Sequence, residues 1–145
     1  MSNQMIIINE ENLKHEIRNP KQIQISKSKN PKQYDLEDRT LEFARKIRLW
    51  VKKLFRNTAN IEDIKQLIRS SGSVGANYIE ANEALSKRDF IHRIKICRKE
   101  AKESRYWLFL LDLGGNQGLE KERKDFIQEA KELMNIFGSI IRKSE

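Results

Sequence analysis

The sequence predicts an all-α protein: an antiparallel up-and-down four-helix bundle with a flexible N-terminal arm. Three observations predict it. Apolar residues recur at alternating intervals of three and four through four consecutive segments, the pattern of helices that each bury one face. Both prolines, Pro20 and Pro31, precede residue 32, so only glycine can interrupt a helix beyond that point. The alternation of apolar and polar residues that marks a half-buried strand is absent. A chain of 145 residues is one domain's worth.

Residues 1–34 show no periodicity. The stretch "NPKQIQISKSKNPKQ" consists mostly of Lys, Ser, Asn and Gln with both prolines, and it predicts a loosely ordered arm. "MIIIN" near the start would allow a short strand. Glu10 and Glu11 follow it without a small-residue cleavage site, so no secretory leader is expected. Residues 35–145 are assigned to the bundle.

The first helix is expected from about Leu36 to Arg56. Phe43, Ile47, Trp50 and Leu54 fall at 4-3-4 spacing, and Glu42 sits four residues before Lys46, a favourable ion pair. "NTAN" then breaks the helix. Asn60 is the expected N-cap of the second, with Asp63 in its first turn and the helix running from Ile61 to about Ala84. Ser86 caps the third, with Asp89 three residues on. Its seam comprises Phe90, Ile94, Cys97, Ala101, Ser104, Leu108 and Leu111, and "GGNQG" stops it. The fourth spans about Leu119 to Ile141, with Phe126, Ala130, Leu133, Phe137 and Ile140 in register. Helices of this length, joined by short loops, pack as a bundle.

One stretch works against its own helix. "IRSSGSVGANYIEAN", from Ile68 to Asn82, is rich in Ser, Gly and Asn, and each Gly costs roughly 1 kcal/mol relative to Ala. Gly72, Gly75 and Ala76 lack bulk, which would let a neighbouring backbone come close. Arg69, Ser73, Asn77 and Glu80 lie on one stripe of the same helix. If that stripe meets another helix its polar groups must be bonded, and Glu103 is the expected partner of Arg69 or Asn77. The plainer alternative is a stripe that faces water with glycines merely tolerated.

From Arg69 onward, "RSSGSVGANYIEANEALSKRDFIHRIKICRKEAKESRYWLFLL" resembles the four helix bundle protein family that includes proteins encoded in intervening sequences of bacterial large-subunit ribosomal RNA. The positions that carry the resemblance are Arg69, Ser73, Val74, Asn77, Ile79, Glu80, Ser86, Phe90, Ile94, Glu103 and Leu108. Tyr78, Ala81 and the pair Lys99-Glu100 depart from it. The resemblance implies a small up-and-down bundle assembling as a ring-like homopentamer, with no enzymatic activity. It extends to the accessory proteins of diversity-generating retroelements, which implies nucleic-acid contact through a basic surface.

The formal charge is +8 and is unevenly spread. Residues 36–56 carry seven basic and three acidic side chains, and residues 86–107 carry eight and three. On the third helix Arg88, His92, Lys95, Lys99, Lys102 and Tyr106 share the face opposite the apolar seam. Cations at helical spacing can follow a phosphate backbone, and Tyr106 could stack on a base. Arg45, Arg48 and Lys52 form a second basic strip on the first helix. Solvated lysine and arginine faces are commonplace, so the same residues also fit a role in solubility alone.

Other chemistries lack their parts. A di-metal centre in a bundle needs two Glu-x-x-His motifs. The chain has one "DFIH" (Asp89, His92), while "EANE" and "EAKE" hold no histidine and His15 falls in the arm. Cys97, the single cysteine, occupies a seam position and predicts a small core residue rather than a nucleophile. Neither "GGNQG" nor "SGSVG" precedes Lys-Ser/Thr, so there is no P-loop. The longest apolar run, "YWLFLL", is far short of the roughly 20 residues a membrane helix needs. Trp50, Trp107 and Phe109 belong either to the core or to a subunit contact.

The sequence therefore predicts a cytoplasmic, non-enzymatic, homo-oligomeric module with no cofactor, metal, membrane or small-molecule substrate. Its expected partner is RNA or DNA. The alternative is a homo-oligomeric protein-interaction scaffold with no nucleic-acid role.

Overall fold

The computed structural model describes residues 35–145. They form four helices: α1 (Leu36–Val51), α2 (Thr58–Asn82), α3 (Lys87–Leu110) and α4 (Gln117–Ser144). No strand occurs among the described residues. Short loops reverse the chain at each step, and α2 packs along α1 and α3, α3 along α4, while α1 and α4 close the ring more loosely. The all-α bundle expected from the sequence is the observed fold. The arm and its "MIIIN" segment lie outside the described residues.

Each helix start is built by the residue before it. The Asp35 carboxylate accepts from the Glu37 amide at 2.9 Å, the Ser86 hydroxyl from Asp89 at 3.1 Å, and the Asn116 amide oxygen from Leu119 at 3.0 Å. The seams then meet in one core. Phe43, Ile47, Trp50 and Leu54 face Ile64, Leu67, Val74 and Tyr78, with Ile94, Cys97, Leu108, Leu133 and Phe137 completing it, all buried. Each such large apolar side chain withdrawn from water contributes about 1.5–3 kcal/mol. Phe126 is only half-buried and tilts against Trp50 at 5.3 Å between ring centres.

Several boundaries differ from expectation. α1 ends at Val51 rather than Arg56, because Lys53 and Leu54 donate three residues back, to Trp50 and Val51. This tighter turn swings Leu54 into the core. α2 begins three residues earlier than expected, at Thr58, because Asn57 and not Asn60 is the cap, accepting from the Asn60 amide at 2.8 Å. Asn60 is instead fully buried. Its side-chain amide donates to the carbonyls of Phe55 (3.0 Å) and Asp112 (2.9 Å) and accepts from the Asp112 amide (2.9 Å). It thereby ties the α1–α2 loop to the α3–α4 loop. Glu42 pairs with Arg45, not with Lys46.

The "GSVG" stretch of α2 lies against α1. A Cβ on Gly75 would stand 2.8 Å from the Thr40 hydroxyl oxygen, 3.2 Å from its Cβ and 3.7 Å from its backbone carbonyl carbon. Gly75 is thus required by a close approach of two helices. At Gly72 the neighbour is the Arg48 guanidinium, 3.1 Å from where a Cβ would stand. Arg48 there donates to the carbonyls of Ala44 and Ile68, both at 3.2 Å.

Candidate nucleic-acid interface

The α2 polar stripe falls on the α2–α3 seam. Arg69 bonds Glu103 at 2.9 Å and reaches Glu100 at 3.5 Å; Glu100 is buried although charged, so the arginine is its counter-charge. Asn77 donates to the Ser73 carbonyl and accepts from Arg93, both at 2.9 Å, so Arg93 occupies the place beside Asn77 that Glu103 could have taken. Ser73 turns back onto the Arg69 carbonyl. Glu80 is exposed. Deeper in the seam, Ser70 and Ser104 share a buried hydrogen bond of 2.9 Å.

These contacts lie away from the outer face of α3. Arg88, His92, Lys95, Lys99, Lys102 and Tyr106 are all exposed. Among the described residues only Lys95 has an anionic partner, Glu145 at 3.8 Å, a loose pair on an exposed surface. The cause is local: both glutamates of α3, Glu100 and Glu103, are turned toward Arg69 on α2, and its remaining acidic residue, Asp89, sits in the first turn. The seam takes up both glutamates, while Arg88, Lys95, Lys99 and Lys102 stay outside.

The α1 strip is different. Arg45 is paired with Glu42, and Arg48 is laid over Gly72, which leaves Lys52 as its exposed cation with no carboxylate partner among the described residues. α1 and α3 stand diagonally across the bundle, each flanked by α2 and α4, so the structure does not bring the two strips together.

Sequence reasoning missed a second group of cations. The Arg142 guanidinium on α4 and that of Arg98 on α3 lie 3.4 and 4.0 Å from where a Cβ on Gly138 would be. Both arginines are exposed, with no carboxylate bonded to either among the described residues. No spacing within the chain could have shown this, because it arises only when α4 folds back along α3. Arg123 was missed as well. It donates to the carbonyls of Leu108 (3.0 Å), Phe109 (3.3 Å) and Leu111 (2.7 Å), and so caps the C-terminus of α3, whose last turn has no basic residue.

The remaining groups suit a core rather than a reaction. Cys97 is fully enclosed, and burial pushes its thiol far above the ordinary range, so the reactive thiolate is suppressed. Among the described residues no three His, Cys, Asp or Glu side chains converge as metal ligands, and no helix is long and apolar enough to cross a membrane. Trp50 is a core residue, Trp107 is half-buried, and Phe109 is exposed.

A family model described as 23S rRNA-intervening sequence protein matches residues 32–139. A crystal structure from Bacteroides thetaiotaomicron, of a protein with unknown function from the S23 ribosomal protein family, is 35% identical with a TM-score of 0.64. That match covers 73% of this chain and 94% of the other. No curated protein matches the chain.

Proposed function

The chain belongs to the 23S rRNA-intervening sequence protein family, and from that premise we propose that it is a non-catalytic, homo-oligomeric module that binds nucleic acid through the outer face of α3. The observation that carries this reading is a cation row of which, among the described residues, only Lys95 has an anionic partner. Arg88, Lys99 and Lys102 meet no carboxylate among the described residues, on a helix whose own glutamates are turned away. Repelling cations held together on a rigid helix have their field relieved when a polyanion binds and counterions are released. Arg98 and Arg142 widen the row toward α4.

Titration of a fluorescently labelled oligonucleotide at a series of salt concentrations tests the reading. Affinity falls steeply with salt, by roughly 0.7 in logarithmic slope per contacted phosphate on a single strand. Lys95→Ala/Lys99→Ala/Lys102→Ala lowers that slope by about 2 if each lysine meets one phosphate. A salt-independent signal, or none at low salt, refutes it.

A second reading has its own observation. The outer side of α1 exposes Leu41 and Leu49, each more than half accessible, beside the paired Arg45. Apolar residues so placed suit a contact between copies of the chain. In the scaffold version of this reading the cations serve only solubility, and molar mass in solution, with and without oligonucleotide, separates the two.

A further inference from the structure

The cation row does not end in more charge; it ends in aromatic surface. Tyr106, Phe109 and Leu110 are 57%, 56% and 48% exposed at the C-terminal end of α3. At 3.6 residues per turn they fall with Lys95, Lys99 and Lys102 inside an arc of about 100°. Both rings are held. Tyr106 meets the edge of Trp107 at 5.0 Å and 77°, and the Arg105 guanidinium lies 5.4 Å over Phe109. Pre-positioned rings lose little freedom when a flat ligand settles on them.

We propose that this face takes a nucleic acid with unpaired bases, the lysines following its phosphates while Tyr106 and Phe109 stack on one or two bases. This rests on the reading of α3 as a nucleic-acid face and names the ligand class for it. A duplex would satisfy the lysines equally well but offers its stacked bases no contact with two rings, which would remain exposed. A single strand presents both phosphates and base faces along the same line. From Arg88 to Tyr106 the helix rises about 27 Å at 1.5 Å per residue. At about 3.4 Å per stacked nucleotide, roughly eight nucleotides span it.

The test uses the full chain and four labelled probes: single-stranded and duplex 12-mers, each in ribose and deoxyribose form. The wild type binds the single strands at least tenfold tighter than the duplexes, and shortening the single strand below about eight nucleotides weakens it. Tyr106→Ala/Phe109→Ala weakens single-strand binding by roughly 5- to 150-fold per lost stack and leaves duplex binding within about twofold. Tyr106→Phe/Phe109→Tyr restores it. Quenching of Trp107 fluorescence by the single strand alone gives an independent readout. If the three-lysine variant loses binding while the aromatic pair variant changes nothing, the face stands and the inference falls. If no probe binds the wild type, both fall. If the aromatic pair variant lowers the molar mass in solution without changing affinity, the rings belong to a subunit contact and the inference is overturned.

Discussion

Gly75→Ala separates close helix approach from mere tolerance of glycine. In an exposed helix interior this change stabilises by roughly 1 kcal/mol through propensity. Here the new methyl would meet the Thr40 hydroxyl oxygen at 2.8 Å, a distance real Cβ contacts do not adopt. The hydroxyl is held on the Leu36 carbonyl at 2.8 Å and the Glu37 carbonyl at 3.2 Å, and the backbone of α1 stands directly behind it. Relief therefore requires α1 to shift or Thr40 to leave both bonds, and overpacking of this kind costs about 1–3 kcal/mol. The expected net effect is a loss of about 0–2 kcal/mol. Denaturant melts of Gly75→Ala, Thr40→Ala and the double variant measure it. Because Thr40→Ala removes the clashing oxygen, the double variant should lose less than the sum of the singles, with a coupling near 1 kcal/mol or more. Gly72→Ala is the internal control. Its neighbour is the far end of the flexible Arg48 side chain, which can yield, so that change should be neutral or gain up to about 1 kcal/mol. A Gly75→Ala protein more stable than wild type would refute the close-approach argument.

Other outcomes follow from the same geometry. Asn60→Ala leaves the Asp112 amide and two carbonyls without their buried partner and should cost about 2–4 kcal/mol in denaturant unfolding. The Glu37 carboxyl is raised above its ordinary value, chiefly by burial, with the bond from Asn82 at 2.9 Å opposing. The native state therefore holds its proton to higher pH than the unfolded chain does. Stability from this group falls as pH rises from the ordinary carboxylate value through the raised one. Glu37→Gln should flatten that slope and be relatively more stable at neutral than at acid pH, as melts across pH 4–7 would show. The three-lysine variant should weaken nucleic-acid binding at low salt without changing the melting transition, since none of these side chains is buried.

Element number, order and buried faces were legible because period is a property of the chain itself. The α3 seam, from Phe90 to Leu111, is buried residue for residue as its spacing predicts. Helix ends were less legible. Asn57 and Asn60 stand three apart, either could cap, and the choice is made by Asp112, some fifty residues away, which claims Asn60 for the loop tie. Long side chains were least legible. Arg48 and Lys99 look alike in sequence, yet one lies on a bare helix backbone and the other points to solvent. The outer row of α3 was legible as a row, but not as one with a single ion pair, Lys95–Glu145, among the described residues. That depended on which way Glu100 and Glu103 turned, and Arg69 of α2 decides it.

The seam between the first and last helices carries a mechanical consequence. Arg39 grips Glu129 and Glu132 at 2.8 Å, and Lys53 grips Glu122, while the two backbones stay apart. Beside these ion pairs the edge has the Trp50–Phe126 ring contact, and the share of it that rests on charge is weakened by ions in the medium. The amino-terminal rod is thus the detachable stave of the barrel. Hydrogen exchange should register its opening before the remaining three, and sooner in brine than in dilute buffer.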